Sequence, residues 1–318
     1  MPEDSLQVSI IIVSYNTKEL TKKTIQAVID KTEGIEYEII VIDNDSKDNS
    51  AEELKKTFQD KITLIESKEN LGFGRANNLG IKQAKGKYIF LLNPDTELIN
   101  NAIKIFYDYM EQNIQVGVCG GNLYNIKDVP EQSFMMYRNS AGSFLFWRYL
   151  ELFYNIFSKF NKKKNYYRFN YSNKVKDVGY ISGADMFVRK EALEKSGLFD
   201  ETFFMYGEDV DLNFRIRNCG YLISSLPQAK IYHYVSQSSK NLVASFDINF
   251  YGTYYLFFKY FGKKTFFIYL DIKLTLLRKA CFAFFVDKEK TKIYFDILKK
   301  NKERYLEQKN RYNKQNGF

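Results

Sequence analysis

Residues 8–14 read Val-Ser-Ile-Ile-Ile-Val-Ser, apolar at nearly every position and rich in β-branched side chains. That composition fits a strand buried on both faces. A helical pattern follows at Lys18–Asp30, and a second apolar run, Glu38–Asp43, closes on a carboxylate. Strand, helix and strand in so short a span predict a βαβ unit and a parallel sheet. The alternation continues outward, with helical patterns at Ser50–Phe58, Arg75–Lys85 and Asn100–Gln112 between strand-like runs at Ile62–Ile65, Tyr88–Leu92 and Val116–Leu123. We therefore expect an α/β fold with a mostly parallel sheet covered by helices on both faces. Ligands of such sheets bind beyond the carboxyl ends of the strands.

Residues 126–176 lose this alternation and hold a basic, aromatic stretch, Phe144–Tyr171, with Trp147 and Lys162–Lys164. Pattern returns as a strand-like run at Asp177–Arg189, helices at Lys190–Ser196 and Glu208–Asn218, and strands at Tyr221–Ser225 and Lys230–Tyr234. From Phe250 onward the chain reads as helix. The division expected is a catalytic domain over 1–239, with halves at 1–125 and 126–239, and a helical extension over 240–318. The basic charge belongs to that extension: residues 240–318 carry 17 Lys and Arg against 7 Asp and Glu, whereas residues 1–239 carry 30 against 31. Three dispersed cysteines, Cys119, Cys219 and Cys281, form neither a disulfide framework nor a metal-binding spacing and fit a reducing compartment. Glu3 and Asp4 stand where a signal peptide carries positive charge. No segment approaches the roughly 18 apolar residues of a spanning helix. A cytoplasmic, soluble or peripheral protein is expected.

The residues just after the strands carry the chemistry. Ser14-Tyr15-Asn16 follows the first strand, and Asp43-Asn44-Asp45-Ser46 ends the second. A turn and a helix cap account for Asp48 and Ser50. They do not account for Asp43, which completes an apolar strand and can accept hydrogen bonds from a base or a ribose. Asn70-Leu71-Gly72-Phe73-Gly74-Arg75-Ala76-Asn77 approaches the dinucleotide fingerprint, but Asn77 replaces the third glycine and the position is wrong, which excludes a dehydrogenase. Glycines entering a helix beside Arg75 still suit a phosphate-bearing ligand. Asn93-Pro94-Asp95 places a hard carboxylate on a stiff turn, where it could hold Mg²⁺ or Mn²⁺ against a diphosphate. Gly207-Glu208-Asp209-Val210-Asp211 opens a helix beside bulky aromatics; the helix dipole accounts for Glu208 and Asp211, and partial desolvation could make an acid here a useful base. His233 is the sole histidine.

In this order the segments VSIIIVSYNT, VIDNDSKDNS, NLGFGRANN, FLLNPD, GYISGADMFVRKEALEKSGLFDETFFMYGEDVDL and the histidine run resemble the inverting glycosyltransferases of family 2, over about residues 7–236. Within that family the rhamnosyltransferase-like branch is the most similar. The resemblance implies the GT-A fold of nucleotide-diphospho-sugar transferases. It implies that Ser14 and Tyr15 border the nucleobase, that Asp43 binds base or ribose, and that Arg75 and Asn93 face the nucleotide. By the same resemblance Asp95 and His233 hold the metal, Asp209 is the catalytic base, and Gly183, Ala184, Asp185 and Glu208 line the acceptor side. Asn93 replaces the first acid of the usual D-x-D turn. The Q-x-x-R-W signature of processive synthases is absent, which favours transfer of a single sugar.

The activity implied is transfer of one sugar, rhamnose first, from a nucleoside-diphosphate donor to a saccharide or lipid-linked saccharide acceptor in polysaccharide synthesis. Two alternatives differ in class. A sugar-1-phosphate nucleotidyltransferase needs a Gly-rich, Arg-containing loop after the first strand, where this chain has Ser14-Tyr15-Asn16. A non-catalytic partner protein would be expected to lose Asp95, Asp209 or His233. The extension, with aromatics at Phe250–Phe261 beside Lys259, Lys263 and Lys264, suits an anionic membrane surface, with contact to a second copy as the other candidate. No nucleic-acid motif is present.

Overall fold

The computed structural model of the protein describes residues 6–136, 168–234 and 242–317. These form two compact units, one of residues 6–136, 168–201 and 209–234, the other of 202–208 and 242–317. Trp147, Lys162–Lys164 and most of the basic, aromatic stretch Phe144–Tyr171 fall outside the described residues.

The first unit is built on a nine-stranded sheet. Its path runs β3 (Thr63–Glu66), β2 (Tyr37–Asp43), β1 (Val8–Ser14), β4 (Tyr88–Leu92), β10 (Asp185–Arg189), β6 (Val116–Tyr124), β11 (Leu222–His233) and β5 (Thr96–Leu98), with β8 (Lys176–Asp177) also on β11. A small separate pair joins β7 (Phe134–Met135) to β9 (Tyr180–Ile181). β1 lies parallel to both β2 and β4, and β6 parallel to β11, while β10, β5 and β8 run antiparallel. The run Asp177–Arg189 is thus broken into short pieces, and the two strands expected between Tyr221 and Tyr234 are one strand with register shifts.

Successive residues of a strand face opposite sides, and the apolar runs fill both. Val8, Ile10 and Ile12 of β1 join Ile39 and Val41 of β2 on one face, under Ile25 and Val28 of α1 (Lys18–Lys31), Leu54 and Phe58 of α2 (Ser50–Phe58), and Phe106 of α4 (Ala102–Gln112). Ile11, Ile40 and Ile42 point the other way, to Ala76 and Ile81 of α3 (Gly72–Gln83), Leu193 of α5 (Lys190–Ser196), and Leu212 and Ile216 of α6 (Glu208–Asn218). Each buried Ile or Leu contributes roughly 1.5–3 kcal/mol.

The second unit contains α7 (Leu242–Phe261), α8 (Thr265–Val286) and α9 (Lys288–Gln315). Its core holds Phe250, Tyr254 and Phe258 of α7, Tyr269 and Leu276 of α8, and Ile297 and Tyr305 of α9. Arg304 grips both oxygens of Asp247 at 2.8 Å. Asp287 caps α9 by accepting from the N–H groups of Glu289 and Lys290.

Candidate active site

The register of the sheet gathers the strand ends. Ser14 is paired with Asp43 across β1 and β2, and Leu92, last in β4, is paired with Asp185, first in β10. The ends of β1, β2 and β4 and the start of β10 therefore share one rim. β5 was not expected; it forms because the chain turns back after Pro94, and it sets Thr96 opposite His233 on β11.

On the β1–β2 side, Asp43 is buried; its Oδ2 accepts from the N–H of Ser46 at 3.1 Å, while its buried Oδ1 has no hydrogen-bond partner. An orphaned carboxylate oxygen costs about 1–3 kcal/mol or more if nothing meets it. The Ser14 hydroxyl already shares hydrogen bonds with Thr17 and Thr21. The ring of Tyr15 is exposed, a flat surface beside Asp43's strand end. Asn44, which the sequence reading left unassigned, holds the next loop: its Oδ1 accepts from Leu71 N–H, and its Nδ2 donates to Asn70 Oδ1 and the Gly72 carbonyl. Its place beside Asp43 in the chain was the available signal. Arg75 directs its Nε to the carbonyl of Glu201.

On the β4–β11 side, His233 Nε2 lies 3.4 Å from Asp95 Oδ1, and the Tyr234 N–H donates to the Asp95 carbonyl. Asp95 is buried and His233 partly so. Among the described residues no third His, Cys, Asp or Glu joins them in a cluster. The described residues thus offer two donors here. Ligands of an octahedral Mg²⁺ or Mn²⁺ stand about 3 Å apart, and such ions are commonly held by one or two protein groups plus phosphate oxygens and water. The pair fits that use.

Between these sides the Asn93 N–H donates to the Ala184 carbonyl at 3.0 Å, so the turn of Asn93 abuts the 183–184 segment. The Gly183 N–H donates to Asp209 Oδ2 at 3.2 Å, and Val210 N–H donates to Oδ1. Phe73 packs on Gly183, where an added Cβ would stand 3.1 Å from its ring. Burial pushes the Asp209 carboxyl above its usual range, against the lowering effect of those two N–H bonds. Asp185 is fully buried: its Oδ2 accepts from Gly121 N–H at 2.6 Å, and burial holds its carboxyl well above the usual range. Glu208 is buried at the start of α6.

A sequence profile of "Glycosyl transferase family 2" matches residues 9–197, more than half of the chain. The protein belongs to glycosyltransferase family 2. Over 135 residues it is 30% identical to a poly(ribitol-phosphate) beta-glucosyltransferase of Bacillus spizizenii, covering 41% of this chain and 21% of that protein. Over 222 residues it is 24% identical to an N-acetylglucosaminyl-diphospho-decaprenol L-rhamnosyltransferase of Mycobacterium tuberculosis, covering 63% and 67%. The matches span only 15%, 44% and 21% of three curated relatives. A crystal structure of GalNAc-T7 with UDP, GalNAc and Mn²⁺ superposes with a TM-score of 0.55 at 15% identity, covering 80% of this chain and 50% of that one. The family 2 chain thus has the GT-A fold.

Proposed function

We propose that this glycosyltransferase moves one sugar, with inversion, from a nucleoside-diphosphate sugar to a hydroxyl of a saccharide acceptor in cell-surface polysaccharide synthesis. The observation that carries the reading is the Asp209 carboxylate, made more basic by burial and tied to Gly183 beside the turn of Asn93. In the reaction Asp209 takes the proton of the acceptor hydroxyl. The freed oxygen attacks the anomeric carbon while the bond to the diphosphate breaks on the opposite face, and the sugar's configuration inverts. Asp43, through its orphaned oxygen, accepts from the base or ribose, with Ser14 and Tyr15 bordering the base. Arg75, from the first turn of α3, and Asn93, from the turn after β4, serve the nucleotide. Asp95 and His233 would hold Mg²⁺ or Mn²⁺, which when bound neutralises the diphosphate's charge. Gly183, Ala184 and Glu208 line the acceptor side, and Asp185 positions that segment through Gly121.

Likeness to the mycobacterial rhamnosyltransferase supports rhamnose as the sugar and a lipid-linked acceptor; deoxythymidine diphosphate is the first nucleotide to test, ahead of uridine diphosphate. We assign residues 1–239 to catalysis and 240–318 to a helical extension. The enzyme works from the cytoplasmic side, peripheral at the inner face of the cell membrane; among the described residues no helix is long and apolar enough to cross one. A nucleotide-release screen over a donor panel with Mg²⁺ or Mn²⁺ tests the reading. Release from one donor that needs both acceptor and Asp209 is expected; release no faster than from Asp209→Asn with every donor overturns it.

A further inference from the structure

Helix α8 is apolar on two faces rather than one. Ile268, Tyr269, Leu276, Ala280 and Ala283 are buried, as the core of the second unit requires. Yet Phe267, Leu274, Phe282 and Phe285 are 61, 58, 72 and 84% exposed. At 3.6 residues per turn, Phe267, Leu274 and Phe285 return to nearly one line, with Phe282 beside it, over about 27 Å of helix. This outer stripe of large apolar side chains, interrupted by Asp271 and Arg278, calls for something to cover it. The sequence reading placed membrane contact on the segment after residue 240 and took Phe250–Phe261 as its example. There, however, Phe250, Tyr254, Phe257 and Phe258 are buried.

Charge identifies the cover. From 263 to 286 the basic side chains are Lys263, Lys264, Lys273, Arg278 and Lys279, against Asp271 alone. At the α7–α8 corner Lys259, Lys263 and Lys264 border an open cleft of about 620 Å³, shared with Tyr260 and Tyr312. A second copy docked on this face about a twofold axis would set one basic surface against another. Anionic lipid complements it: aromatic side chains enter the headgroup boundary while Lys and Arg meet phosphates.

We propose that α8 lies flat on an anionic bilayer, with Phe267, Leu274, Phe282 and Phe285 inserted and the lysine corner on lipid phosphates. This deepens the peripheral placement given above and is independent of the transferase reading, because its test reads vesicle binding and not transfer. The full chain is floated with vesicles of phosphatidylcholine alone or mixed with phosphatidylglycerol, at low and high salt. Binding to the anionic vesicles, weakened by salt, is expected. The triple variant Phe267→Gln, Phe282→Gln, Phe285→Gln should bind at least roughly tenfold less with an unchanged melting temperature. Should that variant fail to fold, Arg278→Gln with Lys279→Gln keeps the apolar stripe and should lose the preference for anionic lipid. No flotation, equal binding to neutral vesicles, or a concentration-dependent dimer that the triple variant abolishes without any vesicle binding overturns the proposal.

Discussion

At Asp209 two opposing effects meet, and burial outweighs the backbone N–H bonds from Val210, Gly183 and Asp209 itself, leaving the carboxyl above its ordinary 3.8. A base must be ionised to accept a proton, so turnover should fall as pH drops through that raised value, and the acid limb of the kcat profile should lie above the range of a free aspartate. Asp209→Asn should lower turnover roughly 10²–10⁴-fold while leaving donor affinity unchanged in calorimetry. A raised folded-state pKa adds stability that is present below the unfolded value and lost as pH rises through the folded one. The melting temperature of Asp209→Asn relative to the parent should therefore be higher at pH 8 than at pH 4. Asp43→Ala should weaken nucleotide binding about tenfold or more, since it removes the acceptor whose free oxygen awaits a donor. Asp43 was legible in the sequence because an acid that closes an apolar strand has no packing reason to be there, and Asp209 because it opens a helix beside bulky aromatics. The directions of Arg75 and Asp185 were not: their partners, Glu201 and Gly121, lie 126 and 64 residues away in the chain.

Elements were readable where their apolar period was long. β1, β4, α2 and α5 occupy the residues expected of them, and α6 begins at Glu208 as its acids suggested. The three-residue β5 was invisible because so short a strand has no period to read. Close helix–strand packing adds its own constraint. Gly80 of α3 faces β1 so closely that a Cβ would stand 2.6 Å from Ile11 Cγ2, inside a filled core. Gly80→Ala should destabilise the fold by about 1–3 kcal/mol, read as a lower denaturation midpoint with an unchanged denaturant slope.

For the molecule as a whole, the boundary between the two units falls within the chain at Glu208 and Asp209. Residues 202–208 belong to the second unit, and a Cβ on Gly252 of α7 would stand 1.9 Å from the Tyr206 carbonyl oxygen, three residues before Asp209. Tyr206 already sits at φ 72°, a left-handed conformation unusual for a bulky residue. Gly252→Ala should force that loop to move, lowering both the melting temperature and turnover, whereas nucleotide affinity at Asp43 should persist. Sequence alone determined the alternating elements, the family they belong to and the acids at the strand ends, since each depends on neighbours within a few residues. Only the tertiary structure decided which carboxylate oxygen stays unpaired, that His233 meets Asp95, that 202–208 joins the helices, and that α8 rather than α7 turns its phenylalanines outward. Those outcomes depend on which surfaces packing covers first, and the aromatics of α7 and α8 look alike until their partners are known.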